Sequence, residues 1–301
     1  RGRQVFEPGG TGWSRHLGRS CVVEGGETGA QLALEGFVAR ARVLLGGGVL
    51  WAFALEGIIC LAMAAPLAIP LGALGGAIGK LIADTSRRPL RGTSAVLFLL
   101  PGIAGVEHLT RPEPEWVVET EIHVAADIGE VWNCVIDFPD LPPPQAWYYR
   151  WGIACPIRAE ISGTGVGAVR RCVFTTGVFV EPITAWDAPH RLAFDVTQQP
   201  APMFELSPYH NLHPPHLDGA LRSTRGEFVL QRATHGGTRL IGRTWYRLEL
   251  LPHAYWSLWS DLFIHRIHHR VLEHVKQHAE TRARSNDLGW SGPTSFRTRR
   301  S

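Results

Sequence analysis

Histidines recur at short intervals in two parts of this 301-residue sequence, where their spacing could serve metal binding or acid–base chemistry. In the first part His210, His213 and His216 are three residues apart, and Asp218 follows closely. Three imidazoles can hold Zn²⁺ with an open fourth position. The neighbouring prolines preclude a regular helix, however, and the usual ligand spacings are absent. We therefore favour polar contacts over a metal site, and we expect the protein to use no metal and no cofactor.

In the second part Asp261, His265 and His269 are four residues apart, which places them on one face of a helix. Such a trio could hold a metal or exchange protons near neutral pH. The face lies opposite the apolar stripe of the same helix. We therefore expect it to face solvent, or a membrane or partner.

A hairpin further upstream is predicted to carry an inward-facing arginine. Its strands are Ile153–Ile161 and Val166–Phe174, joined by the turn signal Ser-Gly-Thr-Gly. If the central Gly-Thr forms the turn, Cys155 faces Cys172, and Arg170 shares the apolar inner face. The two cysteines could then form a disulfide in an oxidising compartment and would stay reduced in the cytoplasm.

Glu181 is the predicted partner of that arginine. A turn at Thr176-Gly177 would place Glu181 on the same inner face, diagonal to Arg170 and within side-chain reach. Burial of a charge is unfavourable unless it is paired. The pair is therefore either structural or positioned to orient a carboxylate or carbonyl group of a ligand in an apolar cavity.

The elements that would position these residues follow from hydrophobic periodicity. Trp116–Ala125 alternates as a half-buried strand, and Asp127 with Glu130 forms the capping-box pattern of a helix that ends near Phe138. Six further strands and a long helix from His253 to about Arg282 follow. We predict a curved antiparallel sheet around the long helix, with a cavity between them.

Several stretches carry a family resemblance. They are TEIHVAADIGEVWNCVIDFPDLP, GTGVGAVRRCVFTTG, FVEPITAWDAPHRLAFDV and the helix HAYWSLWSDLFIHRIHHRVLEHVKQ. Together they resemble the START/polyketide-cyclase-like superfamily of helix-grip domains over about Trp116 to Glu280. The resemblance implies a deep apolar pocket for lipids, polyketides or other small hydrophobes. It carries over no universal catalytic residue, since the superfamily includes binders, transfer proteins and enzymes.

One departure from that superfamily is an insertion, QQPAPMFELSPYHNLHPPHLDG, which we expect to fold over the cavity mouth as a lid. Tyr209 and His213 belong to it. The predicted ligand-binding residues are Arg170, Glu181, Phe174, Phe194, Tyr209, His213, Tyr246, Trp256, Trp259 and Phe263.

The region before this domain is apolar enough for a bilayer. Val43–Ala65 could cross the hydrocarbon core, Pro66 and Pro70 then break the run, and Leu67–Ala83 is a second, shorter candidate. Flanking arginines place both ends of this transmembrane hairpin in the cytoplasm. Ala95–Val106 is too short to decide whether it crosses, so the side of the soluble domain stays open.

The predicted fold class is therefore α+β, a helix-grip domain preceded by a transmembrane helical hairpin. The predicted segments are a disordered N-terminus (1–38), a membrane region (39–110), the helix-grip domain (114–283) and a disordered tail (284–301). The chain begins with Arg, so we expect its natural start to lie upstream.

The composition of the chain limits the classes of partner that we expect it to bind. Apolar residues make up 45% and charged residues 19% of the chain, and the net charge of +3 is too small to indicate nucleic acid. We expect an integral membrane protein, of a bacterial-type plasma membrane, that binds or transfers a lipid-like molecule. The alternative is a cyclase- or hydrolase-like enzyme that acts on a hydrophobic substrate in the same cavity.

Overall fold

The computed structural model describes residues 37–38, 41, 43–49, 57–85, 102, 105–106, 115–207, 214, 217 and 219–287. The chain divides into two compact units, one of Arg1–Gly48 with Ala65–Val96 and one of Val49–Ala64 with Leu97–Ser301. The histidine-bearing part of the insertion, with Tyr209 and His213, lies outside the described residues, and so do most of the N-terminal segment and the tail after Asp287.

The longest described helix of the apolar region is α1, from Ile58 to Thr85. Its stretch Ile58–Leu81 has a mean hydropathy of 2.1 and is, among the described helices, the one long and apolar enough to cross a membrane. The prediction that Pro66 and Pro70 end a span is wrong, because both lie inside α1. An apolar helix can tolerate proline where neighbouring groups satisfy the freed backbone.

The two-span hairpin is not confirmed. Residues 43–49 are helical, but Gly57 is not, so the predicted span Val43–Ala65 is not one continuous helix. Within the first unit, Gly72 lies close to Val43, since a Cβ atom built on it would be 3.2 Å from Val43 Cγ2. This spacing agrees with the close approach that glycine allows between apolar helices.

The second unit is a curved, seven-stranded antiparallel sheet with a long C-terminal helix, which confirms the predicted helix-grip fold. The strand order is β1-β7-β6-β5-β4-β3-β2. The strands are β1 (Trp116–Val124), β2 (Pro156–Ser162), β3 (Val169–Phe174), β4 (Gly177–Asp187), β5 (Arg191–Asp195), β6 (Leu221–Arg232) and β7 (Thr238–Leu248). The helices are α2 (Ile128–Ile136), α3 (Trp147–Arg150) and α4 (His253–Asp287).

Local sequence explains how the sheet joins its helices. The predicted cap at the start of α2 is present: Gly129 N donates to Asp127 Oδ2 at 3.0 Å. One face of α4, with Leu272 and Val275 fully buried, packs on the concave face of the sheet together with α2. This apolar cluster occupies the C-terminal half of α4 and leaves its N-terminal half for the site.

The register predicted for the β2–β3 hairpin is wrong. Cys172 is paired with Ala159, and Arg170 with Ile161. The connection runs over six residues, 163–168, and Gly163, Gly165 and Gly167 each have positive φ. A run of left-handed residues makes a loop wider than the expected two-residue turn.

A consequence is that the predicted Cys155–Cys172 pair does not form. Both are free, buried thiols in different environments, Cys155 in a cluster with Tyr149 and Ile153, and Cys172 on the cavity side of β3. An irregularity between Pro156 and Arg158 also turns Ile157 outward, where 38% of its surface is exposed.

Candidate functional site

Two adjoining cavities are lined by the sheet and α4. The larger, of about 450 Å³, is lined by Ala220 on the approach to β6 and by Trp256, Trp259 and Phe263 on α4. The smaller, of about 150 Å³, is lined by residues further along the same elements, including Glu227 on β6 and His268 on α4. Pro202 and Leu221 line both, so the two spaces share a wall.

The smaller cavity contains the predicted Arg170–Glu181 pair. The two residues are directly opposite each other on β3 and β4 rather than diagonal, and they are 5% and 6% exposed. Arg170 Nη1 donates to Glu181 Oε2, and the guanidinium carbon lies 5.0 Å from the ring centre of Phe194 and 5.5 Å from that of Phe228. Burial raises the pKa of the Glu181 carboxyl, and the Arg170 charge opposes that rise.

Cys172 belongs to the same wall. Its Sγ lies 3.9 Å from Arg170 Nη2. Burial nevertheless raises the pKa of this thiol to about 12. Because the thiolate is the reactive form, Cys172 is unsuited to nucleophilic attack near neutral pH.

A second buried carboxyl group in this cavity is Glu227, which sequence reasoning missed. Its carboxylate accepts from Arg243 Nη1 at 2.8 Å and from Arg191 Nε at 2.9 Å. Although burial alone would raise it, these two hydrogen bonds hold the pKa of Glu227 below its usual value. The Glu227 carboxylate that lines the cavity is therefore already paired with two arginines.

His268 supplies the helix side of the smaller cavity, and it too was not predicted. Its Nδ1 lies 3.0 Å from Thr120 Oγ1 on β1, and its Nε2 lies 2.8 Å from Thr244 Oγ1 on β7. Burial lowers the pKa of His268 to about 4, and the nearby His265 and His269 act in the same direction. Its spacing of four from Ile264 and three from Val271 repeats the buried stripe of α4, a signal that could have identified it.

The expectation that Asp261, His265 and His269 share a solvent-facing surface is wrong for two of the three. Asp261 Oδ1 accepts from Tyr246 Oη at 2.7 Å, and His265 Nδ1 lies 2.7 Å from Thr120 Oγ1. Hydroxyl groups on β1 and β7 give this side of α4 polar partners, so the packed face is wider than the apolar stripe. Of the three, His269 is exposed.

The larger cavity is closed on one side by the start of α1. Cys60, Leu61, Met63 and Ala64 line it. Glu205 fixes that turn, because its carboxylate accepts from Ile59 N and Cys60 N at 3.1 Å each. These are backbone donors without a helical acceptor, so Glu205 acts as a helix cap from a distant part of the chain.

The remaining predicted residues have separate positions. Phe174 lines the smaller cavity and packs on Phe179 with ring centres 4.8 Å apart. Phe194 also lines it, whereas Tyr246 is fully buried beside Val118 and Leu248, where burial raises its phenol pKa. Within the described residues no group of three or more His, Cys, Asp or Glu is placed to hold a metal ion.

The fold and site together define a helix-grip domain with an apolar cavity. No family model matches the chain, and no curated protein matches its sequence. Among solved structures it is similar to a norcoclaurine synthase point mutant from Thalictrum flavum bound to a transition state analogue. The identity is 14%, the TM-score 0.39, and the match covers 57% of this chain and 99% of that one.

Two aromatase/cyclases are also similar. The ZhuI enzyme of Streptomyces sp. R1128 is 17% identical with a TM-score of 0.38, over 57% of this chain and 98% of its own. The di-domain BexL of the BE-7585A biosynthetic pathway is 18% identical with a TM-score of 0.38; the match covers 70% of this chain and 61% of BexL. At these values the similarities carry no argument about ligand or reaction, and the fold rests on the strand order given above.

Proposed function

We propose that this protein is a membrane-anchored binder of a lipid-like molecule, which it holds in the two adjoining cavities. The observation that carries this proposal is the wall of the larger cavity, where the first turn of the apolar helix α1 packs beside Met203, Trp256 and Trp259. The segment suited to a bilayer and the space suited to an apolar guest thus meet at the same residues. A pocket of this size with few polar groups is typical of small-molecule sites.

Exposed apolar side chains around that turn support a position at the membrane surface. Ile58, Trp151, Phe204 and Leu258 are 42%, 53%, 55% and 66% exposed. Backbone hydrogen bonds join the segments that carry the first three: Ile58 N donates to Leu206 O at 3.1 Å, and Phe204 N donates to Gly152 O at 2.8 Å. Tryptophans are enriched where a membrane meets water.

The binding part of the proposal is tested with the full chain purified in an amphipathic polymer and titrated with Nile red, a neutral fluorophore. We expect saturable binding with one molecule per chain. Ala220→Phe places a ring in the larger cavity and should abolish this binding while the far-ultraviolet circular dichroism stays unchanged. Ala233→Phe, in the β6–β7 turn outside both cavities, is the matched control and should bind as the wild type does.

The anchoring part is tested separately. After an alkaline carbonate wash of membranes from expressing cells, the full chain should remain in the pellet. Recovery of the folded chain in the supernatant would contradict anchoring and leave the binding result standing.

A second candidate function is acid–base chemistry in the smaller cavity, favoured by the presence of Glu181 and His268 in the lining of that one cavity. Under this alternative, Glu181→Gln and His268→Gln abolish turnover of a hydrophobic substrate without changing Nile red binding. Variants that alter binding and stability alone would favour the binder.

A further inference from the structure

The unequal polarity of the two cavities indicates what kind of molecule fits them. We propose that the ligand is a long amphipathic molecule whose apolar body fills the larger cavity and whose uncharged hydroxyl or carbonyl group lies in the smaller one. This inference rests on the proposed function, because it assigns the chemical class of the molecule bound at that site.

The larger cavity offers a guest almost no polar contact. Apart from the Cys60 thiol and the indole N–H groups of Trp256 and Trp259, the one polar side chain among the described lining residues is Ser260, whose hydroxyl donates to Trp256 O at 3.1 Å. The Trp256 indole already donates to Leu251 O at 3.2 Å. Aromatic and aliphatic groups make up the rest of the lining. A polar group of the ligand placed here would lose its hydrogen bonds to water without replacement, which is unfavourable.

The smaller cavity contains charges, but each is already matched. Arg170 and Glu181 pair with each other, and Glu227 accepts from both Arg243 and Arg191. Arg225, which also lines the cavity, pairs with Glu115 Oε2 at 3.2 Å. A charged ligand group entering this space would have to break one of these pairs or remain without a counter-ion. Either change is strongly unfavourable in a buried site.

Hydrogen-bonding capacity without charge remains available at two hydroxyls. Thr244 Oγ1 has one contact, to His268 Nε2, and a hydroxyl can form more than one hydrogen bond. The Ser223 hydroxyl lines the same cavity and forms no hydrogen bond within the described part of the chain. His268 itself is occupied at both ring nitrogens, and burial lowers its pKa so that the ring is neutral at pH 7.

The positions of these groups set the length of the ligand. Along β6, Ala220 and Leu221 line the larger cavity and Ser223 comes two residues later in the smaller one. Along α4, twelve residues separate Trp256 in the larger cavity from His268 in the smaller, about 18 Å at 1.5 Å per residue. An apolar chain with its polar group at one end matches this order.

The experiment is displacement of Nile red from the full chain at pH 8 by three probes of equal chain length: 1-hexadecanol, hexadecanoate and hexadecane. We expect 1-hexadecanol to displace the dye at a concentration at least about tenfold below hexadecanoate, because the carboxylate is charged and finds no counter-ion. 1-Hexadecanol should also displace the dye at a lower concentration than hexadecane, because its hydroxyl gains a hydrogen-bond partner in the smaller cavity. Ser223→Ala and Thr244→Val should each reduce the advantage of the alcohol over the alkane by about two- to tenfold.

Three results would overturn the inference. Hexadecanoate could displace the dye as well as 1-hexadecanol does, both variants could leave the alcohol-to-alkane ratio unchanged, or none of the probes could displace the dye. Thr244→Val removes a partner of His268 and could impair folding, so Ser223→Ala, which breaks no hydrogen bond of the described chain, keeps the test decisive. If Nile red itself does not bind the wild type, the proposed function fails rather than this inference.

Discussion

Acidification should destabilise the second unit through His268. Burial lowers the pKa of this ring from its ordinary 6.5 to about 4. Between these values the unfolded chain binds a proton that the folded chain does not, so stability falls as pH falls. Protonation would also make both ring nitrogens donors, so the threonine hydroxyl that donates to the neutral ring would have to turn and accept instead.

The magnitude follows from the two pKa values. One pKa unit corresponds to about 1.4 kcal/mol, so the full effect is about 3 kcal/mol. Most of this loss of stability develops between pH 7 and pH 5, where linkage gives a loss of about 2 kcal/mol. This loss is large beside a typical stability of about 5–15 kcal/mol.

The assay compares urea unfolding of the full chain with that of His268→Gln at pH 7 and pH 5, followed by tryptophan fluorescence. Glutamine reaches toward Thr244 but takes up no proton. Between pH 7 and pH 5 the free energy of unfolding of His268→Gln should therefore fall by about 2 kcal/mol less than that of the wild type. Comparison of the two proteins cancels the titration of Glu181, Glu227 and other shared groups. His235→Gln, exposed in the β6–β7 turn, should behave as the wild type. Equal losses in His268→Gln and the wild type would refute the reasoning.

Three other perturbations test the packing around the cavities. Arg170→Met should lower the free energy of unfolding by about 3–5 kcal/mol, because it leaves Glu181 buried without a partner; adding Glu181→Leu should restore most of it, and urea titration measures both. Glu205→Ala should lower the thermal midpoint of the second unit, since two backbone donors at the start of α1 lose their acceptor at a cost of about 1–3 kcal/mol, and an unchanged midpoint would exclude the capping role. Gly226→Ala should destabilise by about 1–3 kcal/mol, because its Cβ would lie 2.6 Å from the Phe194 ring; calorimetry showing no change would contradict this tight packing.

The order of the elements could be predicted because local patterns were strong. Alternation in β1 and the cap at Asp127 are signals within a few residues, and both are present in the structure. The side of the strands that carries Arg170 and Glu181 was also predictable, since a register shift by an even number of residues, here four between β2 and β3, keeps a side chain on the same face.

Register and helix continuity were harder to predict because they depend on distant contacts. Three glycines with positive φ widen the β2–β3 loop, although the same sequence is also compatible with a two-residue turn. Pro66 and Pro70 are strong breakers in water, yet they lie within α1. The cap that Glu205 gives to α1 joins residues about 145 positions apart, which no local pattern reveals.

The polar part of the site was missed for a related reason. His268 and Thr244 look unremarkable singly, and their significance comes from β7 and α4 meeting across the cavity. Asp261 and His265 were predicted to face solvent because their hydrogen-bond partners, the hydroxyls of Tyr246 and Thr120, lie on strands more than ten residues away in the sequence.

The most direct test of the central claim is mass spectrometry of the organic extract of the full chain, purified from expressing cells and compared with Ala220→Phe prepared in parallel. The account predicts about one molecule of a long, uncharged amphiphile per wild-type chain and its loss from the variant. A wild-type extract that matches the variant would contradict it, because the cavities would then hold no guest of their own.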